Sequence, residues 1–298
     1  MPTLIPHTPT RVPVTVYRAT DEGAPVLKNE KGSLKTLLKT LLAGDGYGYG
    51  NKKSLRWQMY EETNTEVTFH YGTGFGLKVD NANSGYINTH MVHGDKFETY
   101  LGNSNQSLNH FAHINNYAMQ NWLLVGHSKG FMLVLPESTR TSQILFFGET
   151  VGFFKNERNV AYVNTSYGYS NTWDNGSLND SFNCPILMPS SAFKDPTGAF
   201  SPPTTVVVNA LSPFSTTALT FPDTLYQNCL ASAITLVEQG GSPRSILPAL
   251  FWSAHDLQDV SELSKVEMQD GQDYIKLNLH DSGEKTHCFV LNLTEWEL

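Results

Sequence analysis

Charge is scarce in this chain: only 16% of its 298 residues are Asp, Glu, Lys or Arg, against roughly 25% in an average globular protein. The formal sum is -8, which argues against a protein that tracks a phosphate backbone, because that task needs clustered Lys and Arg. The pair Lys52-Lys53 is too small to reverse this. Long apolar runs are also missing. None approaches the roughly 20 residues of a membrane span, and the opening MPTLIPHTPTRVP lacks the apolar centre of a signal peptide. The expectation is a chain made and kept in a cytosol, with neither nucleic acid nor membrane as partner. Cysteine is limited to Cys184, Cys229 and Cys288. An odd number, far apart, excludes a disulfide framework and a zinc spacing, and reads as buried free thiols.

What remains is rich in strand and turn formers. Apolar residues make up 40% of the chain, enough to bury a substantial core. The 13 Tyr and 16 Phe suit pleated, half-buried surfaces, and plentiful Gly, Asn, Ser and Thr supply turns. The expected fold is mainly β, an antiparallel meander or sandwich with one amphipathic helix, α+β at most.

Four units follow along the chain. Residues 1–13 carry Pro2, Pro6, Pro9 and Pro13, which exclude helix and make an extended arm that needs a partner surface to become ordered. Residues 14–163 read as a β-rich domain with a helix over 33–43. There Leu34, Leu37, Leu38, Leu41 and Leu42 form one apolar stripe, Ser33 is the expected N-cap, Gly44 the expected stop, and Lys35 and Lys39 fall on the opposite face. Residues 164–244 are a loop-rich insertion or subdomain, and 245–298 supply strands that complete the β domain.

Within these units, GDGYGYG reads as a flexible turn with two exposed tyrosines, Tyr47 and Tyr49. Residues 88–120 read mostly as loop. NWLLVG, FMLVLP and SQILFFG are short apolar runs spaced as an antiparallel meander. TLYQNCLASAITLVEQG fits either a helix ended by Gly240 or a buried strand pair.

The string Gly126-His127-Ser128-Lys129-Gly130 is a literal G-x-S-x-G after an apolar run, as in the nucleophile elbow of a serine hydrolase. An elbow requires a strand that turns into a helix, so that backbone N–H groups can serve an oxyanion. Here FMLVLP follows, whose β-favouring residues end at Pro136, so a hairpin fits better. The adjacent pairs His255-Asp256 and His280-Asp281 are not decisive for a triad, because neighbours on a strand point to opposite faces. His90/His93 and His110/His113 have an i, i+3 spacing that would share a metal ion only on a helix, and neither pair has an acidic residue at a ligand spacing. VDNANSG lacks the ligand pattern and terminal Glu of a calcium loop and reads as a turn between strands. No cofactor or metal is expected.

VTVYRATDEGAPVLKNEKGSLKTLLKTLLAGDGYG resembles a family of tailed-bacteriophage virion proteins, whose members open with a VTVYRS-D-x-x-APVL-like strand and turn, then a Gly-Ser-Leu helix and a GYG segment. Trp57, GLKVDN at 76–81, NWLLVGHSKGFMLVL, ILFFGE at 144–149, and the closing ALFWSAHD, DYIKLNLHD and FVLNLTEW with Trp296 are similar in the same order. The resemblance covers about half the chain. It implies a non-catalytic structural component of the virion, in which GHSKG occupies a hairpin turn and the partners are other virion proteins and copies of itself. It leaves open the head, neck, tail or baseplate.

The expected contacts for such a protein are Pro6 and Pro9 in the arm, Tyr47 and Tyr49 in the turn, and Tyr167, Tyr169 and Trp173 in the loop. Two rivals stand beside this reading. One is a serine hydrolase using Ser128 with His255, His280 or His287. The other is a module that binds a receptor or host surface glycan through Tyr167, Tyr169 and Trp173.

Overall fold

In the computed structural model the expected fold class holds: antiparallel strands dominate, with one ten-residue helix and a second short one among the described residues. The structure describes residues 10–72, 74–83, 87–97, 99–101, 110–112, 114–138, 142–152, 160–164, 186–187, 207–209, 225–226, 229–237, 243–253, 261–267, 270–281 and 286–298.

In chain order the first elements are β1 (Arg11–Pro13), β2 (Thr15–Arg18), α1 (Ser33–Leu42), β3 (Gly48–Tyr49), β4 (Lys52–Lys53), β5 (Gln58–Glu62), β6 (Glu66–His70) and β7 (Phe75–Asp80). They are followed by β8 (Ile87–His93), β9 (Thr99–Leu101), β10 (His110–Ala112), α2 (Asn116–Asn121), β11 (Leu123–His127), β12 (Gly130–Pro136), β13 (Ser142–Glu149), β14 (Val151–Gly152) and β15 (Val160–Asn164). The last are β16 (Ile186–Leu187), β17 (Val207–Asn209), β18 (Leu225–Tyr226), β19 (Cys229–Val237), β20 (Pro243–Ser253), β21 (Lys265–Glu267), β22 (Asp273–Asp281), β23 (Thr286–Asn292) and β24 (Glu295–Glu297).

The strands form three main sheets. A central sheet runs β16-β15-β13-β12-β11-β2, a second runs β10-β8-β7-β6-β5 with β9 on β8, and a third runs β17-β19-β20-β23-β22-β21 with β14 and β18 attached. The apolar runs of the sequence are β11, β12 and β13, and they are buried almost residue by residue. Alternation explains why. Tyr17, Leu124, Phe131, Leu133, Leu135, Leu145, Phe147 and Tyr162 share one core with α1 and the second sheet. Leu123, Val125, Met132, Val134, Ile144, Phe146, Ala161 and Val163 share another with Leu247, Leu277, Phe289, Leu291 and Trp296 of the third sheet and the C-terminal ribbon. A strand covered on both faces has no polar alternation to show, which is why these segments read as continuous apolar runs.

Helix α1 buries its five leucines as the spacing requires, but its start differs from expectation. The N-cap is Gly32, at φ 76°, and the Ser33 hydroxyl instead accepts the Lys28 N–H. The first-turn donors go to Asn81, whose Oδ1 accepts the N–H of Leu34 at 2.8 Å and of Lys35 at 3.5 Å. The residue expected only to turn between strands therefore caps the helix. At the other end Ala43 is the C-cap and Gly44 follows it, as expected of a stop, but without a left-handed turn. The carbonyls of Leu41 and Leu42, orphans by the geometry of a helix end, accept the N–H groups of Leu55 (2.8 Å) and Trp57 (2.7 Å). Lys35 is not on an exposed face either: it is buried, and its Nζ donates to Glu62 (3.0 Å) and to the Thr63 carbonyl (2.6 Å).

Among its described residues the ambiguous stretch 88–120 holds most of β8, all of β9 and β10, and most of α2. In β8 the buried Ile87, Thr89 and Met91 alternate with the half-buried Asn88 and His90, a strand pattern that the polar side chains obscure in sequence. Asn115 caps α2 through its Oδ1, which accepts the Ala118 N–H at 2.8 Å. The ambiguous segment after 225 is strand, β18 and β19.

The last three residues of the expected arm form β1, which pairs with β24 through Arg11↔Glu297, Val12↔Trp296 and Pro13↔Glu295. Thr10 and Leu298 exchange backbone hydrogen bonds of 2.8 and 2.9 Å beside them. For this part of the arm the ordering surface is the chain's own C-terminal strand. Pro6 and Pro9 lie outside the described residues. Among the described residues no helix is long and apolar enough to cross a membrane.

Candidate functional site

The G-x-S-x-G string is a hairpin. β11 and β12 pair as Leu123↔Val134 through to His127↔Gly130, which leaves Ser128 and Lys129 as the two exposed turn residues. The chain after Ser128 returns as a strand, so no helix N-terminus stands behind the hydroxyl. The glycines have a packing reason. A Cβ on Gly126 would lie 2.6 Å from the Gly130 carbonyl oxygen and 2.7 Å from Phe131 Cβ, and one on Gly148, which pairs with Gly130, would overlap the Gly130 Cα.

His127, beside the serine, is directed into the protein. Its Nδ1 accepts the Lys129 N–H at 3.1 Å, and its ring stands edge-on to Trp296 with centroids 5.2 Å apart. Burial, and after it the Lys129 charge, pushes its pKa down to about 4, so the ring is neutral at ordinary pH. Its carbonyl accepts the Trp57 indole N–H at 3.3 Å, and Trp57 packs at 5.4 Å on Phe131 and at 5.7 Å on Phe147. Lys129 at the tip pairs with Glu149 of β13 at 3.1 Å. The hairpin is therefore a junction at which two tryptophans distant in sequence meet the central sheet.

Of the residues expected as hydrolase partners, the structure places two on strands. His280 and His287 belong to β22 and β23 of the third sheet, and His255 lies outside the described residues. His90 and His93 both lie in β8, a strand, where an i, i+3 spacing is not a same-face spacing. His90 is lowered to about 4, by burial first and by Lys78 second. His110 lies in β10 and His113 outside the described residues. Among the described residues no group of three or more His, Cys, Asp or Glu is placed to hold a metal ion.

Of the expected contact residues, Tyr47 is exposed, with the Lys39 ammonium 5.5 Å from its ring centroid. Tyr49 is not an exposed tyrosine. Its ring lies 6.0 Å from that of Tyr17 and its hydroxyl donates to Asp21 Oδ2 at 2.5 Å. The same oxygen accepts Lys52 Nζ at 2.6 Å and the Arg18 N–H at 2.7 Å. Burial alone would raise the Asp21 pKa, but these donors outweigh it and hold the carboxyl below its usual value. Within GDGYGYG, Gly48 and Tyr49 are thus held in the ribbon β3–β4. Tyr167, Tyr169 and Trp173 lie outside the described residues.

One polar cluster escaped the sequence reading. Ser142 in β13 hydrogen-bonds Glu262, and both oxygens of Glu262 accept the Asn278 N–H of β22. Ser142 and Glu262 are 120 residues apart, and nothing in VSELSKVE marks this glutamate as buried.

No protein-family model matches the chain, and no curated protein matches it.

Proposed function

We propose that this chain is a structural component of a tailed-bacteriophage virion, working through contacts with other virion proteins and with copies of itself, without catalysis. The observation that carries the reading is where the resembling segments lie. VTVYR is β2 and pairs with β11; GHSKG is the β11–β12 turn; ILFFGE lies in β13; Trp57 and Trp296 both meet His127. Segments spread from residue 14 to residue 296 thus supply one packing junction, which is what a shared scaffold requires. A central sheet buried on both faces is rigid, and rigidity suits a subunit whose working parts are its surfaces.

Mass spectrometry of gradient-purified particles tests the reading. The chain is expected at a fixed ratio to the other particle proteins, and its absence from intact particles would overturn the assignment. For the arm, deletion of residues 1–9 spares the β1–β24 ladder. Loss of incorporation with unchanged thermal stability is expected, and full incorporation would remove the arm as a contact.

A further inference from the structure

β2 ends the central sheet: among the described residues it pairs only with β11. Both of its faces are covered, Tyr17 lying in the core shared with α1 and Val16 packing against the core shared with the third sheet. What remains for another strand is the free edge. In an antiparallel pair, successive residues direct their backbone groups alternately toward the partner and away from it. The Ala19 N–H donates to the Trp122 carbonyl at the end of the ladder. Ala19, Tyr17 and Thr15 therefore face β11, and Val16 and Arg18 turn their N–H and C=O groups outward.

Those outward groups are held by Asp21 and Lys52. Lys52 Nζ donates to the Val16 carbonyl at 2.7 Å, and Asp21 Oδ2 accepts the Arg18 N–H at 2.7 Å. The Asp21 N–H donates to the Arg18 carbonyl at 3.1 Å. The two side chains meet at 2.6 Å, with the Tyr49 hydroxyl on the same carboxylate oxygen. Beside them Tyr17 Oη donates to the Lys53 carbonyl at 2.5 Å, which holds β4 along β2 although the two strands belong to different sheets. An ammonium offers three donors and a carboxylate several acceptor positions, so one ion pair can occupy both kinds of site on a strand edge.

A sheet edge left open recruits further strands. Two other edges are closed by other means. β5 carries a bulge between Tyr60 and Glu62, with Glu61 at φ 49°. β1 turns Pro13, which has no N–H, away from β24.

We propose that the Asp21–Lys52 pair is an edge guard, which closes β2 to a strand of a second copy of this chain. An incoming strand needs the Val16 carbonyl and the Arg18 N–H and C=O, the same groups that the pair holds. Without the guard the central sheet extends from one copy into the next. The guard is independent of the virion reading and holds whatever the chain assembles with.

Sedimentation velocity of the full chain over a wide range of concentration tests it. Lys52→Met keeps a long unbranched side chain and removes the donor. Relative to the wild type, its weight-average mass is expected to rise with concentration by about twofold or more, one added copy being the smallest step. Lys53→Met removes the same charge from the neighbouring, exposed position and is expected to sediment as the wild type does. A folded Lys52→Met that matches the wild type overturns the proposal. Equal association of Lys53→Met also overturns it, since lost charge would then be the cause. Should circular dichroism show that Lys52→Met does not fold, Asp21→Asn decides: it removes the charge that holds Lys52 on the edge, so association is expected, and an unchanged size overturns the guard.

Discussion

The indole N–H of Trp57 donates to the carbonyl oxygen of His127 across 3.3 Å, joining residues 70 apart in sequence. Trp57 stands between the β3–β4 ribbon and β5, and His127 closes β11. The bond fixes the helix side of the first core to the tip of the hairpin, while the His127 ring reaches Trp296 in the other core. Trp57 is fully buried against Tyr71, Phe131 and Phe147. Trp57→Ala is expected to cost about 3–5 kcal/mol in urea unfolding, the range for deleting a large buried aromatic. Trp57→Phe keeps most of the packing and loses the hydrogen bond, so its cost should be clearly smaller.

The glycines around Ser128 separate a packing turn from a nucleophile elbow. Gly126→Ala is expected to destabilise by about 1–3 kcal/mol, because its Cβ has no room. At Gly130 a Cβ would find Gly148 Cα at 3.5 Å, an ordinary contact, so Gly130→Ala should stay within about 1 kcal/mol. Ser128→Ala, at an exposed turn, should lie within about 0.5 kcal/mol. A fluorophosphonate probe is expected to leave the wild type unlabelled. Labelling that disappears in Ser128→Ala would sink the structural reading of the hairpin.

Asn81 carries the start of α1. Its side chain is 1% exposed and supplies the acceptor for the first helical N–H groups. Asn81→Ala should cost about 1–2 kcal/mol, seen as a lower thermal midpoint by circular dichroism, whereas Ser33→Ala should cost less because Ser33 is not the N-cap. Equal losses would contradict this division of roles.

Glu62 bonds Lys39 at 2.7 Å and the buried Lys35 at 3.0 Å. The hydrogen bond from Lys39, then that from Lys35, holds its carboxyl below the ordinary 4.5. A depressed carboxyl contributes stability that is present above its unfolded value and is lost as pH falls through the folded one. Glu62→Gln should therefore lower stability at pH 7 by no more than about 1 kcal/mol, since Glu62 is solvent-exposed and its ion pairs are screened. It should also flatten the decline below about pH 4.5. Urea titrations at pH 7 and pH 3.5 would show both, and parallel pH profiles for the two proteins would refute the pairing.

The sequence by itself determined the local structure wherever one periodicity ran undisturbed. Leu34, Leu37, Leu38, Leu41 and Leu42 announced α1, and the bulky residues of FMLVLP announced a strand rather than the helix an elbow needs, because both patterns follow from which face must leave water. Short polar interruptions hid β8 and α2; Thr89 of β8 meets its partner Tyr162 only across the fold. Tertiary structure decided the rest: that the apolar runs form a sheet buried on both faces, that Asn81 rather than Ser33 serves the helix start, that Lys35 and Tyr49 turn inward, and that Glu262 lies between two sheets. Each of these depends on a partner between 27 and 120 residues away. A hydrogen bond or buried ion pair is specified by both ends at once, and the chain order shows only one end at a time.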